Sequence, residues 1–439
     1  MTRILVLAVL LSGAAVAQPQ PLTLDAAVNL ALQRNSDLQR QILLSLSAEQ
    51  DRVIARSAVL PQLTFNASAV EQRTHGLQVV QGVLVPGTFQ TEQRTTYEPV
   101  YSSRLQLSQL VFDGGKWWNN LAAADLGEQA SREQVDEQRL QITYLVEQRF
   151  YELVRAQRQL AVLAEAATRS RDQANYTQRL FEGGRATQFD VYAARANRDN
   201  DEVQRLGQER AVELARADLS TAIGLDPGAP LTVAEPPNML AEPTQAPAAP
   251  DAIERALTKR PSLKAFALTA ESNRKAASAA KGDYWPNVSL NGFWNRGTRD
   301  DLVLLFKAPG RDAQAGVRVD LTWNLFAGLS TQANARKAEG QVKLAENDLV
   351  SGRRGVAADV EKAVAQLATA RSQARVAQQA EQTAKEGLRL ARTRQEVGVG
   401  TQLEVRDAEL KLTQAQLNVV GSLVDGREAE AALRRAQGG

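Results

Sequence analysis

The sequence predicts a mainly α-helical fold with a small β portion, in which very long helices run directly into a few amphipathic strands. Three observations carry that reading. The chain repeats itself once, it holds long proline-free tracts with heptad-spaced apolar residues, and it contains four short runs of period-two alternation.

The duplication organises everything else. Leu32 and Leu38 return as Leu257 and Leu263, and Leu60-Pro61-Gln62-Leu63 returns as Trp285-Pro286-Asn287-Val288, both 225 positions later. From Phe112-Asp113-Gly114 and Phe326-Ala327-Gly328 onward the offset is 214, through Thr187-Gln188-Phe189-Asp190-Val191 and Thr401-Gln402-Leu403-Glu404-Val405. The 11-residue difference falls between Pro61 and Phe112, where a loop insertion is tolerated. Residues 18–225 form the first repeat and 251–439 the second. Between them Asp226 to Pro250 holds seven of the 15 prolines and reads as an extended linker. Each repeat follows one plan: a helix, two strands, a very long helix, a tight turn and another helix.

The strands show by alternation. Leu63, Phe65, Ala67 and Ala69 oppose Gln62, Thr64, Asn66 and Ser68. Val317, Val319, Leu321, Trp323 and Leu325 oppose Arg318, Asp320, Thr322 and Asn324. Asn287 to Trp294 and Arg104 to Phe112 alternate less cleanly, with Phe293, Gln109 and Leu110 out of pattern. Each run has ~9–11 residues, the length at which a tilted strand crosses a bilayer. A soluble hairpin on a core would alternate too. No other apolar material in the chain could cover four such faces, however, and all five Trp lie in or near the strands. Trp concentrates at membrane–water interfaces, which favours the membrane.

The helices are long because nothing breaks them. No Pro occurs from Val100 to Asp226 or from Gly310 to the C-terminus. Leu329 to Glu396 is 68 residues, roughly 100 Å of helix. Its apolar positions step by fours and threes through Val356, Val360, Ala363, Leu367, Ala370, Ala374, Ala377, Ala384, Leu388 and Ala391, interrupted by Glu381. That is a heptad seam. Ile142, Val146, Leu153, Ala156, Leu160, Leu163, Ala167 and Ala174 repeat it more loosely in the first half. Small Ala lets helices approach closely and buries little area, which suits a wall wet on both sides.

Charge and composition exclude other classes. The 52 basic and 50 acidic residues nearly balance, against the basic surplus of a nucleic-acid binder. With no Cys and one His, His75, neither a metal cage nor a Cys or His catalytic centre is expected, and no cofactor motif is present. No clustered carboxylates sit on a cleft-forming element, so no enzyme is predicted. Arg3, the apolar run Ile4 to Leu11 and Ala15-Val16-Ala17 read as an export signal over residues 1–17. Without Cys there is no lipobox. No later apolar run reaches the ~18 residues of a transmembrane helix, so entry into a membrane requires strands in a closed barrel.

Four strands cannot close a barrel, since small ones need ~8. Two chains would supply eight strands and three would supply twelve, of which only twelve leave an aqueous lumen.

With these features the chain resembles the TolC-like outer-membrane efflux proteins, over essentially its whole length after the signal. The resemblance rests on the twofold repeat, on Phe112-Asp113-Gly114-Gly115 and Phe326-Ala327-Gly328, and on two turns of pattern Gly-x-x-Thr-x-x-(Asp/Glu)-Val. These are Gly184, Thr187, Asp190, Val191 and Gly398, Thr401, Glu404, Val405. It implies a homotrimer whose long-helix α-barrel, a tunnel, joins a transmembrane β-barrel built from four strands per protomer. It implies a passive exit duct of a tripartite efflux or type I secretion system, set in outer-membrane lipid and extending into the periplasm. The implied partners are a periplasmic adaptor and an inner-membrane pump of RND or ABC type.

The turns also have a local reading. Gly183-Gly184 and Gly398 suit the left-handed conformation that ends a helix. Thr187 and Thr401 then N-cap the next helix, with Asp190 and Glu404 completing capping boxes. By resemblance, Gly183, Gly184, Thr187, Gly398, Gly400 and Thr401 form the adaptor-contact turns. Glu404 and Asp407, with Asp190, form the periplasmic constriction. Acidic residues in a first helical turn also complement the macrodipole, and both readings of the pair stay open. The chain departs from the family's best-known channel where that channel ties its closed tip with a Tyr and an Arg: here stand Gln395 and Gly400. A periplasmic coiled-coil protein would explain the helices and the export signal, but not two matched pairs of amphipathic strands.

Overall fold

The computed structural model describes residues 21–81, 89–298 and 313–439. The export signal expected over residues 1–17 lies outside the described residues. The first half contains α1 (Leu24–Arg34), α2 (Ser36–Ser57), β1 (Gln62–Gln81), β2 (Phe89–Phe112), α3 (Lys116–Glu182) and α4 (Gln188–Ala222). The second contains α5 (Ala249–Lys259), α6 (Pro261–Lys281), β3 (Asn287–Thr298), β4 (Ala313–Thr322), α7 (Ser330–Glu396) and α8 (Gln402–Gln437), plus one 3-10 turn before β3. Helix dominates and the β portion is small, as expected. The opening helix of each half is in fact two. Asn35 ends α1 and accepts hydrogen bonds from the Asp37 and Leu38 N–H groups at 2.9 and 3.3 Å. In the second half Pro261 compels the break, because Arg260 before it is held extended.

Two compact units cut across the two halves. The first comprises the described residues up to Leu44, with Arg132–Ala265 and Val350–Gly439. Its cores are the heptad seams. Val356, Val360, Ala363 and Leu367 of α7 are buried with Ala429 and Leu433 of α8 and Ala252 and Ala256 of α5. Ile142, Val146, Phe150 and Leu153 of α3 are buried with Leu219 and Ile223 from the α4 end and with Ala27, Ala31 and Leu38. The proline-rich segment between α4 and α5 is tightly bound. Arg427 donates to the Asn238 and Ala241 carbonyls at 2.5 and 2.9 Å, and the Thr244 N–H donates to Glu430 at 2.7 Å. Glu242 accepts from Arg371 and Arg375 at 3.0 and 2.9 Å, so the segment straps α7 to α8. Behind it Arg260 is buried against Glu137 at 3.0 Å, with a further bond to the Ala436 carbonyl.

The second unit comprises Ser45–Ser131 and Phe266–Leu349. It holds one antiparallel sheet in the order β1-β2-β3-β4, with β1 and β4 at the edges. The registers align Leu63, Leu107, Gly292 and Val317, then Phe65, Leu105, Trp294 and Ala315. One face is therefore apolar across all four strands, and it is bare: Leu63 is 66%, Val317 75% and Leu321 65% exposed. The opposite face carries Thr64, Gln106, Arg104, Asn291 and Arg318, with Asn291 donating to Asp320 at 2.7 Å.

The residues out of pattern have local causes. Phe293 lies on the polar face because its ring covers Gly316, where a Cβ would meet it at 2.9 Å. The register shifts between Leu110 and Phe112, and Gln109 turns aside to donate to the Val59 carbonyl at 2.8 Å. The strands of the first half are longer than expected, 20 and 24 residues against 12 and 10 in the second. The extra residues extend the ladder instead of forming a loop, as the pairing of Gln72–Gln81 with Phe89–Glu98 shows.

Candidate functional site

The predicted site residues gather at the ends of two helical hairpins in the first unit, α3–α4 and α7–α8. Both turns are built the same way. In the first, the Gly184 N–H donates to the Phe181 carbonyl at 2.9 Å and the Arg185 N–H to the Leu180 carbonyl at 2.7 Å. In the second, Gly398 donates to Gln395 at 3.0 Å and Val399 to Arg394 at 3.0 Å. This paired pattern closes a helix only if the residue in the turn is left-handed. Gly184 and Gly398 have φ of 68° and 80° and meet nothing where a Cβ would stand. Gly183 is not left-handed. Gly400 is needed for room, because a Cβ there would lie 2.8 Å from the Gln395 nitrogen.

The caps that follow differ. Thr187 and Asp190 form the full capping box: the Asp190 N–H donates to the Thr187 hydroxyl at 3.2 Å, and the Thr187 N–H to the Asp190 carboxylate at 2.9 Å. That backbone bond, then the one from the Thr187 hydroxyl, holds the Asp190 carboxyl below its ordinary pKa. The second cap is half a box. Thr401 accepts from the Glu404 N–H at 3.2 Å, but the Glu404 carboxylate turns toward Arg394, 3.5 Å away. The reciprocal bond expected there is therefore replaced by an ion pair across the turn. Asp407 pairs with Lys411 at 2.7 Å. Glu404 and Asp407 remain about half exposed, three residues apart at the start of α8.

The same ends present apolar side chains to solvent. Phe189 and Leu403 are 79% and 78% exposed, with Tyr192, Val397 and Val399 also bare. Just behind the turns lie contacts that tie one hairpin to the other, and one that braces the second hairpin internally. Gln402 donates to the buried Thr177 hydroxyl at 3.0 Å. Arg406 of α8 binds Asp201 of α4 through two bonds, and that carboxylate raises the pKa of the guanidinium. Arg392 of α7 binds the buried Glu409 of α8 at 3.0 Å. Sequence reasoning passed over these residues. A signal existed for Asp201: it continues the spacing of the buried Val191 and Ala194, so a carboxylate occupies a seam position. Its partner, 205 residues away, left no local trace.

Among the described residues no helix is long and apolar enough to cross a membrane, and no group of His, Cys, Asp or Glu is arranged to hold a metal ion. The bare apolar face of the sheet, with open edges and proline-free helices attached, defines the class: a membrane channel protein built from strands and long helices. The chain belongs to the outer membrane efflux protein family, whose model matches residues 27–225 and 252–439. It is an outer-membrane channel protein of the efflux and secretion type. It is 25% identical to the outer membrane efflux protein BepC of Brucella suis over 437 residues, 98% of this chain and 89% of that one. It is also 25% identical to the outer membrane protein TolC of Vibrio cholerae over 404 residues, 90% and 87% of the two chains. Among solved structures, a membrane protein from Pseudomonas aeruginosa superposes with a TM-score of 0.80 at 22% identity, covering 94% of this chain and 92% of that one. That likeness shows the shared fold.

Proposed function

We propose that three copies of the chain close a twelve-stranded barrel and act as the exit duct of a tripartite efflux or type I secretion system. One observation carries the reading: a four-stranded sheet with a bare apolar face and, among the described residues, two unpaired edges. In lipid an unpaired edge costs several kcal/mol per polar group, so the edges must meet those of other copies. In this reading residues 18–225 and 251–439 are the two repeats of the mature chain and 226–250 joins them.

The hairpin ends are the periplasmic mouth. Gly183, Gly184, Thr187, Gly398, Gly400 and Thr401 shape the turns that meet a periplasmic adaptor. That adaptor links the duct to an inner-membrane pump of RND or ABC type. The exposed Phe189, Tyr192, Val397, Val399 and Leu403 supply apolar area for this contact. Glu404 and Asp407, with Asp190 on the neighbouring hairpin, form the acidic constriction. The mature protein, extracted from outer membranes in detergent, is expected to be a trimer that conducts ions in planar bilayers. A monodisperse, water-soluble monomer would end the barrel reading.

A further inference from the structure

In the second unit, exposed aromatic side chains crowd the place where strands meet helices: Trp118, Trp285, Trp323 and Tyr284 are all bare. Such a belt marks the level of lipid headgroups. A cleft of about 480 Å³ opens there, lined by Arg52, Val53 and Arg56 of α2 and by Trp118, Leu121 and Asp125 of α3. Its depth suits a headgroup. Arg56 is one residue from the end of α2, β1 begins at Gln62, and Trp118 is the third residue of α3 after β2 ends at Phe112. A headgroup layer is roughly 5–8 Å thick, about four residues of helix.

The cleft faces the apolar side. Ala55 of the same helix lines a different cleft together with Asn287 and Thr322, which are paired on the polar face of the sheet. Val53 stands roughly 200° around the helix from Ala55. The two arginines differ in what they have left to give. Arg52 is committed to Glu128 at 2.7 Å and reaches Asp125, the one carboxylate lining the cleft, at 3.6 Å. Arg56 is exposed, and its guanidinium has no hydrogen-bond or ion-pair partner among the described residues. Beside it Trp118 and Val53 are 64% and 52% exposed. A free cation next to a bare indole and aliphatic wall matches a ligand with an anionic head and an apolar body.

We infer that this cleft binds the phosphate of an anionic phospholipid of the periplasmic leaflet. Arg56 takes a phosphate oxygen, and Val53, Trp118 and Leu121 cover the glycerol and the upper acyl chain. The inference rests on the membrane-spanning reading above. Native mass spectrometry of the delipidated trimer, titrated with phosphatidylglycerol, phosphatidylcholine or soluble glycerol 3-phosphate, tests it. Phosphatidylglycerol should be retained in preference to phosphatidylcholine. Arg56→Gln should weaken that retention on the order of tenfold, the effect of one charge-assisted hydrogen bond. Arg210→Gln, an exposed arginine of α4, should leave it unchanged, and Trp118→Ala should weaken both lipids. Equal retention of the two lipids would overturn the site. So would an unaltered Arg56→Gln, since the charge would then only complement the end of α2. Competition by glycerol 3-phosphate as strong as that of the lipid would assign the cleft to free phosphate instead. The same spectra report assembly: a non-trimeric species overturns the barrel and the site together, whereas a lipid-indifferent trimer overturns the site alone.

Discussion

Arg406, in the second turn of α8, grips Asp201 of α4 with both arms of its guanidinium, at 2.7 and 2.8 Å. Both side chains are largely removed from solvent, in line with the buried Val191 and Ala194 of α4. A buried pair adds little stability over a packed apolar pair, but losing one partner strands the other. Asp201→Asn should therefore lower stability by about 3 kcal/mol. The double change Asp201→Leu with Arg406→Met should cost much less. Thermal unfolding in detergent, followed by circular dichroism, decides; equal losses in the two variants would refute the account.

The turn glycines give a second test, in which two kinds of requirement separate. Gly184 and Gly398 are left-handed with open space around them. Replacing either with Val should cost only the backbone conformer, on the order of 1–2 kcal/mol. Export activity is expected to fall while outer-membrane trimer levels hold. Gly400→Ala collides with the backbone of Gln395 and Arg394 and should deform the second turn itself. If Gly184→Val instead abolishes assembly, the first turn serves folding and not adaptor docking.

The acidic pair makes a prediction about current. Three copies would place six carboxylates from Glu404 and Asp407 around one axis, and such a ring concentrates cations. Each carboxylate has a cation of its own chain nearby, Arg394 and Lys411 respectively. Trimers in planar bilayers should prefer cations and be blocked by multivalent cations from the periplasmic side. Changing both acids to Ala should remove the block, whereas Lys411→Gln should deepen the cation preference. Unchanged selectivity in the double Ala variant would leave the acids with a helix-end role only, worth ~0.3–1 kcal/mol each.

The buried Glu137 sets a pH dependence. Burial pushes its carboxyl up, but the hydrogen bond and charge of Arg260, with bonds from Gln141 and the Ser262 backbone, outweigh that and leave the pKa below 4.5. A carboxyl depressed on folding adds stability that is present above its unfolded pKa and lost as pH falls through the folded one. The gap in melting temperature between wild type and Glu137→Gln should be widest near neutral pH and shrink below pH 4.5. A gap constant from pH 7 to about pH 3 would contradict this linkage.

Much of the fold could be read from periodicity. The seam from Val356 to Ala374 is buried as its spacing requires, and α7 ends at Glu396 where Gly398 said it must. Alternation also put Leu63, Phe65, Val317 and Leu321 on one face. What stayed hidden was non-local. The strap depends on Arg427 reaching two backbone carbonyls nearly 190 residues earlier, and backbone acceptors have no sequence signature. The half box at Thr401 depends on Arg394 outcompeting a backbone N–H for Glu404, a contest between geometries that the residue types leave undecided. The length of β1 and β2 escaped because Gly76 and the adjacent Val79-Val80 break the alternation in one strand, and the run Gln90 to Thr96 in the other is polar throughout.

Among the described residues, β2 before Tyr101 pairs with β1 alone, so Gln72–Gln81 and Phe89–Glu98 form a two-stranded ribbon. A two-stranded ribbon contributes little to the stability of the fold, and little is lost when its residues change. Selection for folding therefore weighs lightly on this stretch. The ribbon should tolerate sequence change and accept an inserted epitope tag without loss of the folded chain.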